Sequence, residues 1–331
     1  MDLWASAICI VVLALLIDRF IGEVPNAVHP LRWIGNTVYF LDRHIKRTSK
    51  HATRLKGFLS YVLVALIFMT ISVTLSAVTR HYLGEVAWII VSAFLFKLNF
   101  AIFSFRKHVI PIQKDLENGD LVSAAEKTQM IVSRKTAGMD ADHIASSCTE
   151  TISENLVDSV VSPTLFFGLL GLPGIIMFRC ANLMDAMWGY LNGKYGNLGF
   201  FPAKFDDVLG FIGARISIVF VTVAAFLLRM NWRDVIPMAR AGKDLTPSPN
   251  SAWSMVACAA ALEIRMEKEG VYVMGKGDMP SVKDITRCYH LVELTSIIFI
   301  LLVTLPLYMF LGIEVQILAE DLIINLGGWV F

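Results

Sequence analysis

The sequence predicts an all-α, polytopic integral membrane protein with about four to six membrane segments, some of them able to re-enter, joined by cytoplasmic helical loops. Three observations carry this. The 331 residues are 56% hydrophobic and only 17% charged, with mean hydropathy +0.61, whereas a soluble chain carries about 25% charged residues. Apolar runs approaching the ~20 residues needed to cross hydrocarbon recur along the chain. Lys and Arg gather between particular runs, the pattern of loops held in the cytoplasm. The whole chain, 1–331, reads as one membrane-embedded domain. Its parts are N-terminal spans with a basic loop (1–105), a motif-bearing core (106–228), and a cytoplasmic loop with the last span (229–331).

Residues 3–17 are apolar and end at Asp18-Arg19. Asp2 and the lack of a basic start argue against a cleaved signal peptide, so this reads as an uncleaved first segment. Residues 18–56 hold eight Lys/Arg and read as cytoplasmic. Within them Gly22, Pro25, Pro30 and Gly35 forbid one regular helix and leave a turn able to present Asp18, Glu23 and His29. Residues 57–78 and 84–105 read as spans around the turn 79–83. Lys97 in the second faces a helix neighbour or snorkels.

Residues 106–158 are polar and helical in pattern. Asn118-Gly119-Asp120 is a turn, 121–132 an amphipathic helix, and Ser133-Arg134-Lys135-Thr136 a basic break. A second helix starts near Asp140 and runs towards Asp158. On it Glu150, Glu154 and Asp158 recur every four residues and share one side. Such a row repels itself, and no Lys or Arg lies between Lys135 and Arg179 to relieve it. The row either faces a metal or other cation, or is a plain solvated face.

Residues 159–178 are apolar but contain Pro163, Gly168, Gly171, Pro173 and Gly174. They form one kinked span or two half-helices of a re-entrant hairpin, since breaks at membrane depth survive only where backbone is buried or lines a cavity. Asn182 and Asp185 share a helix face. Residues 188–205 form a loop rich in Gly and aromatics, able to close over a flat ligand. Asp206-Asp207 open the apolar segment 208–228, with Arg215 about two turns in. Residues 229–292 carry nine Lys/Arg and read as cytoplasmic. In them 244–253 is a Pro-rich turn, and Asn250 or Ser251 can N-cap a helix over 252–262. Residues 293–312 are the last clear span and 313–331 an amphipathic tail. If the three basic segments share one side, 159–178 and 208–228 both cross or both re-enter. Only re-entry gathers all the carboxylates on the cytoplasmic side.

Net charge +1 gives no basic surface for nucleic acid. The five cysteines (Cys9, Cys148, Cys180, Cys258, Cys288) contain no C-x-x-C pair and read as reduced thiols packed as small apolar residues. An ionised group near hydrocarbon costs roughly 2.5–3.5 kcal/mol on insertion scales. The crowding of Glu150, Glu154, Asn155, Asp158, Asn182, Asp185, Asp206, Asp207 and Arg215 into 150–215 therefore marks a site. Hard oxygen ligands suit Mg²⁺ bridging substrate phosphates, and Arg215, Arg134 and Lys204 could balance phosphoryl charge. There is no G-x-x-x-x-G-K-[ST] loop, H-E-x-x-H or nucleophile triad. The residues alone support a membrane enzyme handling a phosphorylated substrate with Mg²⁺. They also leave open a transporter or sensor whose carboxylates bind a cation, proton or ligand.

Several motifs are collinear over nearly the whole chain. They are D-x-x-x-G-[DE]-x-P…HP…IG (Asp18, Gly22, Glu23, Pro25, His29, Pro30, Gly35), SRKT at 133–136, and ET-x-x-EN-x-x-D-x-x-x-x-P (Glu150 to Pro163). N-x-x-D-x-x-x-GY (Asn182 to Tyr190), FDD…AR (Phe205 to Arg215) and SPN-[SA] (Ser248 to Ser251) complete the set. Together they resemble the adenosylcobinamide-phosphate synthase family of cobalamin (vitamin B12) biosynthesis, CbiB/CobD. The resemblance implies a ligase that joins a propionate carboxyl of adenosylcobyric acid to the amine of aminopropanol phosphate or ethanolamine phosphate, with ATP and Mg²⁺. It implies a multi-pass protein of the cell membrane with its active site facing the cytoplasm. Its partners would be the bilayer, the corrinoid and other membrane-associated cobalamin-assembly enzymes. On that footing Asp158, Asp185, Asp206 and Asp207 are expected to hold the metal, with Glu154 beside them. Glu150, Glu154, His29 and Arg215 would be catalytic, with Glu150 or His29 the base for the amine. Arg134, Asn155, Asn182, Lys204 and Asn250 would bind substrate or phosphate, and the aromatic loop 188–201 would pack against the corrin.

Overall fold

The computed structural model describes residues 2–25, 27, 29–189 and 193–327. In chain order its elements begin with α1 (Leu3–Phe20), α2 (Pro30–His44), α3 (Lys50–Val78, continued by the π turn Thr79–Leu83) and α4 (Glu85–Lys97). They continue with α5 (Arg106–Glu117), α6 (Leu121–Gln129), α7 (Ala141–Asn155, continued by the π turn Leu156–Val161), α8 (Ser162–Trp188) and α9 (Phe200–Leu227). Then come α10 (Val235–Ala241), α11 (Ser251–Leu262), the strands β1 (Arg265–Lys268) and β2 (Tyr272–Gly275), α12 (Val282–Phe299), α13 (Leu305–Leu307) and α14 (Ile313–Leu326). These form two compact units. The first is Met1–Ala101, Ser162–Leu209 and Ile300–Phe331; the second is Ile102–Val161 and Gly210–Phe299.

Among the described residues, five helical stretches are long and apolar enough to cross a membrane: Leu3–Phe20, Lys50–Leu83, Ala141–Trp188, Phe200–Leu227 and Val282–Leu326. In the first unit α3 shows why. It buries Ser60, Ser72 and Ser76 and exposes Leu59, Leu63, Leu66, Ile71 and Leu75. Polar groups inside and large aliphatics outside is the pattern of a helix solvated by lipid.

The expected span over 84–105 is shorter than the sequence suggests. α4 stops at Lys97, so it is 13 residues long, about 20 Å. Two interactions accompany its end. Lys97 Nζ lies 3.2 Å from Asp18 Oδ1, with both side chains at most 1% exposed, and Asn99 Nδ2 donates to the Leu95 carbonyl at 2.8 Å. Lys97 therefore faces a neighbour, the end of α1.

The interrupted segment in α8 is a hairpin of two half-helices. Gly171 adopts φ 65° and ψ −148°, conformations that only glycine takes readily. The rings of Phe166 and Phe178 stack at 5.8 Å, whereas 12 residues of continuous helix would part them by about 18 Å. Gln316 of α14 serves the break: its Oε1 accepts from Leu172 N at 3.3 Å and from Tyr308 Oη at 3.0 Å. Its Nε2 donates to Ser92 Oγ at 3.2 Å and to Glu320 Oε1 at 3.0 Å. Glu320, fully buried, also accepts from Ser76 Oγ at 2.6 Å, Trp88 Nε1 at 3.0 Å and Arg80 Nε at 2.6 Å. The expected amphipathic tail is thus corrected over its described part. Residues 313–326 carry the acceptor of a buried network, and a carboxylate without neighbouring donors could not stay there.

The second unit is built on α7, whose residues from Ile144 to Ser153 are all buried. Asp140 caps it, accepting from His143 N at 2.9 Å. The Ala-rich α11 is buried along its length, and Phe220 of α9 meets Phe299 of α12 edge to face at 5.2 Å. The one strand pair among the described residues, β1 with β2, runs antiparallel with Arg265 opposite Gly275 and Lys268 opposite Tyr272. It docks on α7 where Ser146 Oγ accepts from Glu267 N at 2.8 Å.

A Cβ at Gly171 would meet Gln316 Cβ at 2.7 Å and the Gly312 carbonyl at 2.8 Å, while a Cβ at Gly84 (φ 83°) meets nothing within 4 Å. Thermal unfolding in detergent should show Gly171→Ala losing more than Gly84→Ala. The latter costs only backbone strain, about 1–3 kcal/mol, and the former adds overpacking of about 1–3 kcal/mol.

Candidate active site

In the first unit, the second half of α8 carries Arg179, Asn182 and Asp185, and the start of α9 carries Lys204, Asp206 and Asp207. Asn182 hydrogen-bonds the Asp206 carboxylate, and Asp185, Asp206 and Asp207 lie close enough to act on one another electrostatically. Arg179 Nη1 donates to Asn182 Oδ1 at 3.3 Å and acts on Asp206. Lys204 Nζ pairs with Asp207 Oδ2 at 2.9 Å. Asp206 Oδ1 is buried without a hydrogen-bond partner. Gly189, the last described residue before the following loop, is required by this arrangement: a Cβ there would collide with Asp185 Oδ1.

His29 belongs to the same unit. It N-caps α2, and its Nδ1 accepts from Leu31 N at 3.2 Å. An imidazole whose Nδ1 accepts carries its proton on Nε2, so His29 offers a donor to its surroundings. Burial, chiefly, with Lys97 and Arg179 in support, holds its pKa below the ordinary 6.5 against the opposing pull of Glu23.

In the second unit, Arg134 pairs with Glu150 with both side chains largely buried, and its Nη1 donates to the Glu267 carbonyl at 3.4 Å. Glu150 Oε2 is buried without a hydrogen-bond partner. Glu154 faces Lys268 and Arg134. Glu150 and Glu154 of the acidic row are therefore cation-facing, and their cations come from the 133–136 break and from β1. Burial lowers the pKa of Arg134 and Lys268 and pushes the Tyr272 hydroxyl up to about 12. Asp158 is half-buried on the π turn. Asn155 spends its side chain locally, donating to the Thr151 carbonyl at 2.9 Å and accepting from Ser159 Oγ at 2.7 Å.

Arg215 and Asn250 meet, also in the second unit. Arg215 Nη1 donates to Asn250 Oδ1 at 3.0 Å and Nη2 to the Pro249 carbonyl at 3.3 Å. Its guanidinium lies over Phe211 at 3.4 Å and Trp253 at 5.0 Å. Asn250 stands at the N-cap position of α11 but makes no capping bond; its oxygen is taken by Arg215, which corrects the expected cap.

The predicted residues thus fall into groups. Asn182, Asp185, Lys204, Asp206, Asp207 and His29 lie in the first unit; Arg134, Glu150, Glu154, Asn155, Asp158, Arg215 and Asn250 lie in the second. Among the described residues no three His, Cys, Asp or Glu side chains form a ready-made metal cage. Of the aromatic loop, Tyr190 and residues 191–192 lie outside the described residues. Trp188 is buried, Phe200 covers Arg54 at 3.7 Å, and Phe201 packs on Phe58 at 4.6 Å. Sequence reading missed Arg179 and Lys268 as site residues. Arg179, three before Asn182, closes the long stretch without cations and was findable; Lys268 arrives by an unpredicted hairpin.

Long apolar helices, with buried carboxylates and cations inside each unit, define a polytopic membrane protein. The family described as CobD/Cbib protein matches residues 11–298, and the chain belongs to that family. It is 36% identical to the probable cobalamin biosynthesis protein CobD of Methanothermobacter thermautotrophicus, over 89% of this chain and 95% of that one. It is 34% identical to the cobalamin biosynthesis protein CobD of Dehalococcoides mccartyi, over 84% and 90%. The corresponding protein of Clostridium perfringens is 29% identical, over 83% and 87%. No solved structure matches.

The lowered pKa of His29 has a consequence for stability. Because the folded chain binds this proton less readily than the unfolded one, stability is unaffected above about pH 6.5 and falls as pH drops below it. NMR titration should place the His29 midpoint below that of a free histidine. His29→Asn, which keeps a capping oxygen, should remove this part of the pH dependence, whereas His29→Ala also loses a cap of about 1 kcal/mol.

Proposed function

We propose that the chain is an adenosylcobinamide-phosphate synthase. It forms an amide between a propionate carboxyl of adenosylcobyric acid and the amine of aminopropanol phosphate, with ATP and Mg²⁺, at the cytoplasmic face of the cell membrane. The relatives named for cobalamin biosynthesis support the pathway. The reaction class is the one that the motif resemblance implies, and the carboxylates and cations of the two units are compatible with it. A carboxylate does not condense with an amine in water, and ATP supplies the activation that makes its acyl carbon reactive.

The observation that carries the reading is Asp206. A buried carboxylate oxygen with no donor, flanked by Asp185 and Asp207, is costly unless a cation completes it. Mg²⁺ fits this donor set, because it takes hard oxygens and needs only one or two carboxylates beside water and substrate phosphate. When bound there it would neutralise phosphate charge. Asn182 orients Asp206, Lys204 holds Asp207, and Arg179 with the Nε2–H of His29 would stabilise anionic oxygens nearby. In the second unit Glu150 would serve as a base for the amine, since its Oε2 is an unused acceptor. Arg215 acts as a positioning residue that clamps the SPN turn through Asn250 and Pro249.

The test is a coupling assay on detergent-purified protein with adenosylcobyric acid, aminopropanol phosphate, ATP and Mg²⁺, read by mass spectrometry. The wild type should yield a corrinoid with the mass of both substrates less one water. Asp206→Asn should remain in the membrane and lose turnover by about 100-fold or more. Full activity in that variant would remove the metal assignment. No product from folded wild type with either amine phosphate would favour a ligand- or cation-binding membrane sensor or transporter.

A further inference from the structure

A cleft of about 520 Å³ opens in the second unit between the 134–140 loop, the start of α7 and the β1–β2 turn. That volume lies within the range of small-molecule sites, about 300–1,000 Å³, and is too small for a corrinoid with its peripheral side chains. Its wall carries charges of both signs in equal number, Arg134, Lys135 and Lys268 against Asp140, Glu267 and Glu269, with His143 and Ser147 between them. Several of these are already engaged. Arg134 is held by Glu150 and by the Glu267 carbonyl, the Glu267 carboxylate lies 3.7 Å from Arg265, and Asp140 binds His143 Nδ1 at 2.7 Å. Lys135 is exposed and Lys268 half-buried, both on the cleft wall.

The cleft has a direction. Going along α7 from His143 and Ser147, which line it, the next residues on that side are Glu150 and Glu154. Glu150 is 4% exposed and keeps one oxygen without a hydrogen-bond partner; Glu154 faces Lys268. The cleft wall thus carries both signs of charge, and buried carboxylates lie further along α7. A polyanion such as a nucleoside triphosphate would meet as many carboxylates as cations on this wall. A small ligand carrying one phosphate and one ammonium meets a complement to each end.

We propose that this cleft binds the amine substrate as a zwitterionic aminoalkyl phosphate. Its phosphate lies on Lys135, Lys268 and His143, and its ammonium end is turned towards Glu150 and Glu154. This assignment rests on the amide-coupling reading. It adds Lys135, Lys268 and His143 as substrate-binding residues and makes Arg134 the floor of the cleft, with no direct role on phosphate.

The experiment is calorimetric titration of aminopropanol phosphate, and separately of a non-hydrolysable ATP analogue, into full-length protein in detergent. It compares wild type, Lys135→Gln and Lys268→Gln. Lys135 is exposed, so its variant folds irrespective of the outcome at half-buried Lys268. Each variant should weaken aminopropanol phosphate binding about ten-fold or more, the value of a charge-assisted contact, and leave the analogue unaffected. Unchanged aminopropanol phosphate binding in both variants, loss of analogue binding instead, or no binding of aminopropanol phosphate by wild type would overturn the assignment. Product formation by wild type with unaltered amine-phosphate KM in both variants would overturn the cleft and spare the coupling reading. Binding that responds to the variants without any product would do the reverse.

Discussion

Everything in this fold depends on how charge is tolerated in an apolar protein. Removing a carboxylate or ammonium from water costs several kcal/mol, which a partner must offset. The chain meets that demand repeatedly. Asp18 holds Lys97 where α1 meets α4. Glu320 collects donors from Ser76, Arg80, Trp88 and Gln316, and Gln316 in turn accepts from the backbone freed by the Gly171 break. In the Glu320 network donors and acceptors are matched, and the consequence is architectural: these contacts tie α14 to the break in α8.

Asp206 and Glu150 differ from Glu320. Each is buried and each leaves one carboxylate oxygen without a hydrogen-bond partner. Each sits beside further carboxylates and beside cations drawn from elsewhere in its own unit, Arg179 and Lys204 in one, Arg134 and Lys268 in the other. Burial that leaves an acceptor unused destabilises the fold unless a ligand completes it. Against the saturated Glu320, the unused acceptors of Asp206 and Glu150, each set among further carboxylates, mark the two candidate sites.

Much of this was legible in the sequence. Hydropathy and the spacing of basic residues gave the class, and the glycine and proline cluster in 159–178 signalled a break in α8. The row Glu150, Glu154, Asp158 and the Asn182, Asp185 pair were visible as helix faces because side-chain direction follows local periodicity. What stayed hidden depends on non-local pairing. Lys97, at the end of α4, pairs with Asp18, almost eighty residues earlier. The relief of the acidic row comes from Lys268, carried in by a short strand pair with no strong local signal. Arg215 and Asn250 looked like separate phosphate ligands, yet each satisfies the other. The tail beyond residue 313 looked amphipathic because Gln316 and Glu320 are polar, whereas their polarity faces inward to a buried network.

The central claim is that the unsatisfied carboxylate of Asp206 is completed by a divalent cation. It can be measured without any corrinoid chemistry, by following Mn²⁺ binding to the detergent-purified chain with electron paramagnetic resonance and displacing it with Mg²⁺. The account predicts a saturable Mn²⁺ site in the wild type that Mg²⁺ competes for and that Asp206→Asn abolishes. A folded wild type with no saturable site, or an Asp206→Asn chain that binds Mn²⁺ as tightly as wild type, would contradict it.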